Sequence, residues 1–462
     1  MTVDASQAPN TSGLGARLDR IPVATSTLRM MMILVGFFYL FDAVDIVVFG
    51  NTVPAMREQW GLSVNDIALG SAAPFVGMFI GAIVGGQLAD RFGRRRIILG
   101  STVLYSVCCL ATAFAPTYEV VVVLRGLTGL GLQALVGAVM VYASELLPAH
   151  IRGRYLAIIA AVGAVAVPVT AVASRIIVPL GDEAWRWMYV FGSLGILGIV
   201  TGYRRLPESP RWQVARGRPD LAETLVATLE AEAVAATGAP LPPPRPERLI
   251  RTGSARELFS RRYVRRTVVA SAAMACFVLL AYGWSPWLPS LLTGRGYTQA
   301  EALTFVSVLG VASVAGALTS SLLIDRWDRK NYVFVLTVLL AVLLFVFAAT
   351  GNRSVMLVVG FAISMLIHAL LTAVYTYAPE VFPTHLRGIG NGVVNGVGRI
   401  AGIGGPFIVA AVYSAFDFGA VFVYLAVVGV VLGLGLMLFG EQTTNRSLED
   451  IAADAGEAEL SH

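Results

Sequence analysis

Charge is what this chain has least of. Of its 462 residues, 14% are Asp, Glu, Lys or Arg and 56% are hydrophobic, whereas soluble domains carry about a quarter charged residues. That balance excludes a soluble globular fold, because there is too little polar surface to cover the apolar side chains. Lysine is nearly missing: Lys330 is the only one, so arginine carries the basic charge. Cysteine is scarce too. Cys108, Cys109 and Cys276 all lie inside apolar runs, which excludes a disulfide framework and gives no metal-ligand spacing. The first 22 residues lack an apolar core with a cleavage site, so no secretory leader is expected. The net charge of +5 sits in short arginine clusters beside apolar runs. It marks membrane topology, with no nucleic-acid partner.

What is present is a duplication. Asp90-Arg91 recurs as Asp325-Arg326, Glu145 as Glu380, Pro148 as Pro383, and Arg152-Gly153 as Arg387-Gly388, every pair 235 positions apart. A common offset of about half the chain marks an internal repeat. Duplicated hydrophobic halves with charges at matching helix ends characterise secondary transporters.

A spanning helix needs about 20 apolar residues. Twelve such runs are predicted: 29–53, 66–89, 97–115, 119–143, 155–179, 185–203, 267–292, 300–324, 331–350, 354–378, 388–413 and 418–440. None alternates with period 2, which excludes a β-barrel. Arg94, Arg95, Arg96, Arg152, Arg154, Arg204, Arg205, Arg326, Arg329 and Lys330 all fall in loops on one side, so both termini are expected in the cytoplasm. The organisation expected is a cytoplasmic N-terminal tail (1–28), a six-helix half (29–203), a cytoplasmic linker with short helices (204–266), a second six-helix half (267–440) and a cytoplasmic tail (441–462). Within the linker, Pro219 to Gly238 reads as a helix with proline at its start and glycine after its end. Pro240 to Pro246 reads as a stiff spacer, and Ser254 to Arg266 as a basic amphipathic helix on the membrane surface.

Specific motifs point to a family. Gly86-Gln-Leu-Ala-Asp90-Arg91-Phe-Gly93-Arg94-Arg95 resembles the loop between helices 2 and 3 of the major facilitator superfamily at every marked position. Arg125-Gly-Leu-Thr-Gly129-Leu-Gly131 is similar to its helix 4 motif. Pro207-Glu208-Ser209-Pro210-Arg211-Trp212 and Pro379-Glu380-Val-Phe-Pro383-Thr384 resemble the elements that follow helices 6 and 10. In the first span, Phe41-Asp42-Ala43-Val44-Asp45 resembles the two-aspartate motif of aromatic-acid/proton symporters, niacin permeases and the synaptic vesicle glycoprotein 2 group. The sequence departs from those patterns at Ser321 and Asp328, where the first copy has Gly86 and Gly93, and at Leu135, where some niacin-type relatives carry an acid. The resemblance implies an all-α integral membrane protein of twelve helices in two pseudo-symmetric halves. It also implies alternating access and a monomeric working unit.

Ionisable groups within the bilayer cost about 2.5–3.5 kcal/mol each on insertion scales and invite a functional account. Asp42 and Asp45 share one face of the first span, which Phe38 and Phe49 extend. At about 1.5 Å per residue the pair lies about 20 Å from the arginine-rich edge, and Arg125 reaches a similar depth. Their partners at offset 235 are Phe277, Leu280 and Gly360, so scaffold symmetry does not require them. Two close carboxylates in low dielectric do not readily both ionise, and one is expected to carry a proton while Arg125 balances the other. Asp42, Asp45 and Arg125 are therefore the proton-coupling candidates. Substrate-binding candidates are Phe38, Phe49, Gln133, Tyr282, Trp284, Trp287, His368, Tyr375, Asn391, Asn395 and Arg399. The fixed donor fork of a buried arginine suits a carboxylate ligand. The candidates for a cytoplasmic gate are Gly86, Asp90, Arg91, Gly93, Arg94, Glu145, Arg152, Asp325, Arg326, Arg329, Glu380 and Arg387, since anchoring alone needs no repeated acids. Pro286 and Pro289 predict a broken outer end in the seventh span.

The function expected is proton-coupled import of a small organic anion, an aromatic or pyridine carboxylate such as nicotinate or a benzoate derivative. It would take place across the inner membrane, with no cofactor. A sugar/proton symporter and an exporting drug/proton antiporter are the alternatives. A receptor on a transporter scaffold ranks lower because the gate motifs are intact and the loops small, and a membrane enzyme because no nucleophile or metal-ligand constellation occurs.

Overall fold

A computed structural model describes residues 13–244, 254–324, 326–383 and 385–443. Asp325, Thr384, the end of the proline spacer and the tail beyond residue 443 lie outside the described residues. The first half runs α1 (Leu14–Asp19), α2 (Ser26–Trp60), α3 (Val64–Phe92), α4 (Arg94–Thr112), α5 (Tyr118–Leu146), α6 (Ala149–Ile177), α7 (Arg186–Gly192) and α8 (Leu197–Arg205). Then come α9 (Pro210–Ala215) and α10 (Pro219–Thr237). The second half comprises α11 (Val264–Trp284), α12 (Leu288–Gly294), α13 (Gln299–Leu323), α14 (Arg329–Ala349), α15 (Arg353–Glu380), α16 (Arg387–Ala415) and α17 (Phe418–Phe439). Among the described residues there are eleven helices long and apolar enough to cross a bilayer. The remaining span, the sixth, is broken into α7, a 3-10 turn at Ser193–Ile196, and α8, so no single helix there is long enough to count. This is a multi-pass membrane protein.

The repeat extends to helix caps. Ser63 and Asp66 form a capping box at the start of α3, and Thr298 and Glu301 form one at the start of α13, 235 positions on. Each satisfies first-turn amides that would otherwise be orphaned. Small residues set the spacing inside each half. A Cβ on Gly81 of α3 would lie 2.4 Å from the Leu130 carbonyl of α5, and one on Gly316, its repeat partner in α13, 2.1 Å from the Met365 carbonyl of α15.

Contacts between the halves gather toward the face opposite the arginine-rich loops. Gly50 of α2 sits so close to the break between α11 and α12 that a Cβ there would be 2.7 Å from the Pro286 Cα. The Phe75 and Tyr282 rings meet edge to face at 4.6 Å, and Ser307 Oγ donates to the Ala171 carbonyl at 3.0 Å. These contacts join the two halves on that side.

One expectation for the flanking segments is corrected. The stretch from Ser254 to Arg266 is not one amphipathic helix. A 3-10 turn at Ala255–Phe259 ends at Ser260, whose backbone is extended, and α11 begins at Val264. Leu258 is buried, its carbonyl accepts from Thr267 Oγ1 at 3.0 Å, and Glu257 lies 3.5 Å from His385. The segment is thus packed against the second half instead of lying on lipid. Residues 14–28 are packed as well. Leu18 and Ile21 are buried, Arg17 pairs with Glu223 and Glu230 at 2.5 and 2.7 Å, and Arg20 pairs with Glu230 at 2.6 Å. Burial opposes the charge on Glu230, but hydrogen bonds from both arginines overcome it and hold its pKa below the ordinary glutamate value. Asp19 accepts from the Ala149 amide at 2.8 Å, which ties α1 and α10 to the start of α6.

Candidate functional site

The first span carries its acids where helical spacing put them, on one face of α2, turned inward. Asp42 is 4% exposed, Asp45 1% and Arg125 3%. Arg125 Nη1 meets Asp45 Oδ2 at 2.7 Å and also donates to the Asp45 carbonyl at 3.3 Å, so α2 and α5 are joined by a buried ion pair. Phe49 lies under the guanidinium at 5.0 Å. Asp42 has no such ion pair among the described residues, and both Asp42 Oδ1 and Asp45 Oδ1 are buried without a hydrogen-bond partner. The cation whose charge acts on Asp42 is Arg399 of α16, which lies within electrostatic range of the Tyr282 and Tyr375 hydroxyls as well. Tyr39, one turn before Asp42, joins this cluster. The site thus holds two acids and two arginines, one pair locked by direct contact and one pair looser.

Beside it is a cavity of about 190 Å³ lined by Asn51, Phe277, Tyr282, Trp284, His368 and Tyr375 among others. Its walls are aromatic, with polar groups at a few points. That construction suits a small flat ligand bearing one polar end. Trp284 Nε1 donates to Ser364 Oγ at 3.0 Å, His368 Nδ1 lies 2.9 Å from the Ser364 carbonyl, and Asn51 Nδ2 donates to Ser174 Oγ at 3.1 Å. These bonds fix the lining side chains. The break between α11 and α12 follows from Pro286 and Pro289, and it turns Trp284 and Pro286 into the cavity wall.

Several candidates lie elsewhere. Phe38 is fully buried against Gly198 and Gly202 of α8, where it packs the sixth span. Trp287 is buried but does not line the cavity. Gln133 is half-buried on α5, away from it. Asn395 donates to both the carbonyl and the side-chain oxygen of Asn391, at 2.9 and 3.0 Å, so the two amides satisfy each other on α16. Periodicity identified an inward face in each case, but it does not say which neighbour fills that face. Tyr39, Asn51, Phe277 and Ser364 were missed, because single aromatic or small polar residues in apolar helices carry no motif.

At the arginine-rich face the two halves hold matching clasps. Arg94 Nη2 meets Glu145 Oε1 at 3.1 Å and Asp90 Oδ1 at 2.9 Å, and Arg94 Nη1 donates to the Ala89 carbonyl at 3.1 Å. In the second half Arg329 Nη2 meets Glu380 Oε1 at 3.3 Å and Arg329 Nη1 donates to the Ile324 carbonyl. Gly93 has φ +103°, and a Cβ there would strike Glu208 Oε2 at 2.1 Å. Only glycine leaves room for that carboxylate, which accepts from the Arg95 and Ser209 amides at 3.1 and 3.0 Å. The Trp212 indole and Arg216 hold the Asp90 carbonyl at 2.8 and 3.0 Å. Glu208 and Trp212 had been read as a family motif and not as part of this clasp; the motif was their signal. Arg152 donates to the Leu147 carbonyl at 3.1 Å, while its repeat partner Arg387 has a buried Nε and Nη2 without hydrogen-bond partners. Gly86, Arg91 and Arg326 are exposed beside these clasps.

Comparisons with known proteins agree with this architecture. The family model of the Major Facilitator Superfamily matches residues 35–406 and 306–458. A niacin transporter of Acinetobacter baylyi is 28% identical over 95% of this chain and 99% of its own length. A gallate transporter of Pseudomonas putida is 29% identical over 86% of this chain and 88% of its own. Among solved structures, the Escherichia coli xylose transporter in a partially occluded inward-open conformation superposes with a TM-score of 0.75 at 18% identity, over 92% of this chain and all of that one. The chain belongs to the Major Facilitator Superfamily, and it is a transporter.

Proposed function

We propose that this protein imports an aromatic or pyridine monocarboxylate, of the nicotinate or hydroxybenzoate type, together with a proton. The arginine-rich face would point to the cytoplasm, with both termini there and the chain in the inner membrane. The observation that carries the reading is the unequal treatment of the two buried acids. Each acid keeps one buried oxygen without a hydrogen bond, but Asp45 is in contact with Arg125 at 2.7 Å, whereas Asp42 has no ion pair among the described residues and lies only within the field of Arg399.

The mechanism follows from charge balance. With Asp42 ionised, Arg399 is neutralised in place and an incoming carboxylate would add an uncompensated negative charge to the site. Adding a charge without a partner to a low-dielectric site costs several kcal/mol. A proton on Asp42 removes that cost and leaves the guanidinium of Arg399 free for the substrate carboxylate, whose ring lies between Tyr282, Trp284 and Tyr375. Loss of the proton on the other side restores the Asp42–Arg399 attraction and expels the ligand. Asp45 and Arg125 stay paired throughout and keep α2 and α5 together. One anion and one proton cross as a neutral pair, so a pH gradient drives uptake and a membrane potential adds little.

The relatives named for niacin and gallate, both aromatic carboxylates, support the substrate class. Uptake of labelled nicotinate, gallate and xylose into proteoliposomes tests it, with and without an acidic exterior. The expected result is accumulation of a carboxylate that follows the pH gradient and ignores an imposed potential. Xylose uptake with no carboxylate uptake would overturn the proposal.

A further inference from the structure

A groove larger than the central cavity lies away from it. It lies at the arginine-rich end of the first half, between the start of α2 and the end of α8, and encloses about 710 Å³. Its mouth carries Arg29, Arg204 and Arg205, and its floor and outer wall carry Ile33, Leu34, Val200 and others. None of the three arginines has an ion pair among the described residues; Arg205 Nη1 meets Met30 Sδ at 3.6 Å. Glu232, bonded to Ser26 of the groove lining, is already engaged by the Thr27 amide, by Thr27 Oγ1 and by Ser26 Oγ. The apolar wall is open: Ile33 is 71% exposed and Val200 62%.

Topology alone does not account for this corner. At offset 235 the three arginines correspond to Val264, Phe439 and Gly440. In the second half the nearby Arg266 is occupied by Glu441 at 3.6 Å and Arg265 donates to the Phe439 carbonyl. One half therefore closes its corner with its own groups, and the other leaves three guanidiniums around a groove.

We infer that this groove is a binding site for an anionic phospholipid, its phosphate held by Arg29, Arg204 and Arg205 and an acyl chain laid along Ile33 and Val200. Guanidiniums bind phosphate oxygens in bidentate pairs, and basic pockets between spanning helices at a membrane face select anionic headgroups. The exposed apolar wall running from the arginines into the spanning region favours a lipid over a soluble phosphate. This site is separate from the transport reading and does not depend on it.

Native mass spectrometry of the full-length protein in detergent tests the inference, titrating phosphatidylglycerol and phosphatidylcholine with identical acyl chains. The expected result is a preference for phosphatidylglycerol of about ten-fold or more, falling to near parity in the Arg29→Gln, Arg204→Gln, Arg205→Gln variant and persisting in the triple lysine variant. Val200→Trp, which fills the groove and leaves the charges, is expected to weaken phosphatidylglycerol binding as well. Glycerol 3-phosphate at millimolar concentration is expected not to displace the lipid. The inference is overturned if the triple glutamine variant keeps the preference, or if Val200→Trp leaves lipid binding unchanged. It is also overturned if glycerol 3-phosphate competes, which would mark a soluble-anion site. Should the triple variant fail to fold, Arg204→Gln alone carries the charge test.

Discussion

In the first half Arg94 bridges to Glu145 at 3.1 Å, and in the second Arg329 bridges to Glu380 at 3.3 Å, each guanidinium also bonding the carbonyl five residues before it. Deeper in the membrane the correspondence stops. Where the first half has Asp42, Asp45 and Arg125, the second has Phe277, Leu280 and Gly360. The second half supplies instead Arg399, His368 and an aromatic wall. On the proposed reading, the duplicated parts would move the protein, while the unduplicated parts would decide what moves through it. A rocking scaffold needs two equivalent hinges; a coupling site needs one set of acids facing one set of ligand groups.

The sharpest way to break the comparison is to remove the buried counter-charge. Arg125→Gln leaves Asp45 buried without its partner, and breaking such a pair costs about 3–5 kcal/mol. The expected outcome is poor recovery of folded protein and no uptake, measured by detergent melting and transport. Next, Gly50→Leu wedges a side chain against Pro286, where even a Cβ is 2.7 Å from the Cα. Closure of the face opposite the arginine-rich loops should fail, raising alkylation of a cysteine introduced in the cavity wall and abolishing net transport. Smaller effects test the clasps. Arg94→Gln and Arg329→Gln should each slow transport about five-fold, as expected for roughly 1 kcal/mol of lost charged hydrogen bonding; a loss confined to one half would mean that the hinges are not equivalent.

The smallest effect concerns the packed N-terminal segment. Glu230 has its folded pKa held below the unfolded value of about 4.3. Its contribution is therefore present above that unfolded value and disappears as pH falls through the folded value. Glu230→Gln should increase amide exchange in α1 at neutral pH by a few-fold, and the difference from the parent should vanish in acid.

The frame of this protein was legible in its sequence because the frame is built from long-range regularities. Apolar runs, the 235-residue offset and the one-sided arginines gave the spans and the matching clasps. The inward face of the first span was legible too, since Asp42 and Asp45 are three residues apart. What was not legible depends on which neighbour fills a face. Phe38 and Trp287 had the right periodicity, but Phe38 packs against Gly198 and Gly202 and Trp287 is buried away from the cavity. The break in the sixth span had no proline to announce it. The choice of Asp45 as the partner of Arg125 is a matter of ångströms between two positions that the helix treats almost alike.

The central claim is that Asp42 exchanges the coupling proton while Asp45 does not. The most direct test is uptake of labelled nicotinate by proteoliposomes of the Asp42→Asn variant under an inward proton gradient, beside the parent. The account predicts that the parent accumulates substrate above equilibrium, by about ten-fold per pH unit, and that the variant only equilibrates it. Accumulation by Asp42→Asn equal to the parent would contradict it.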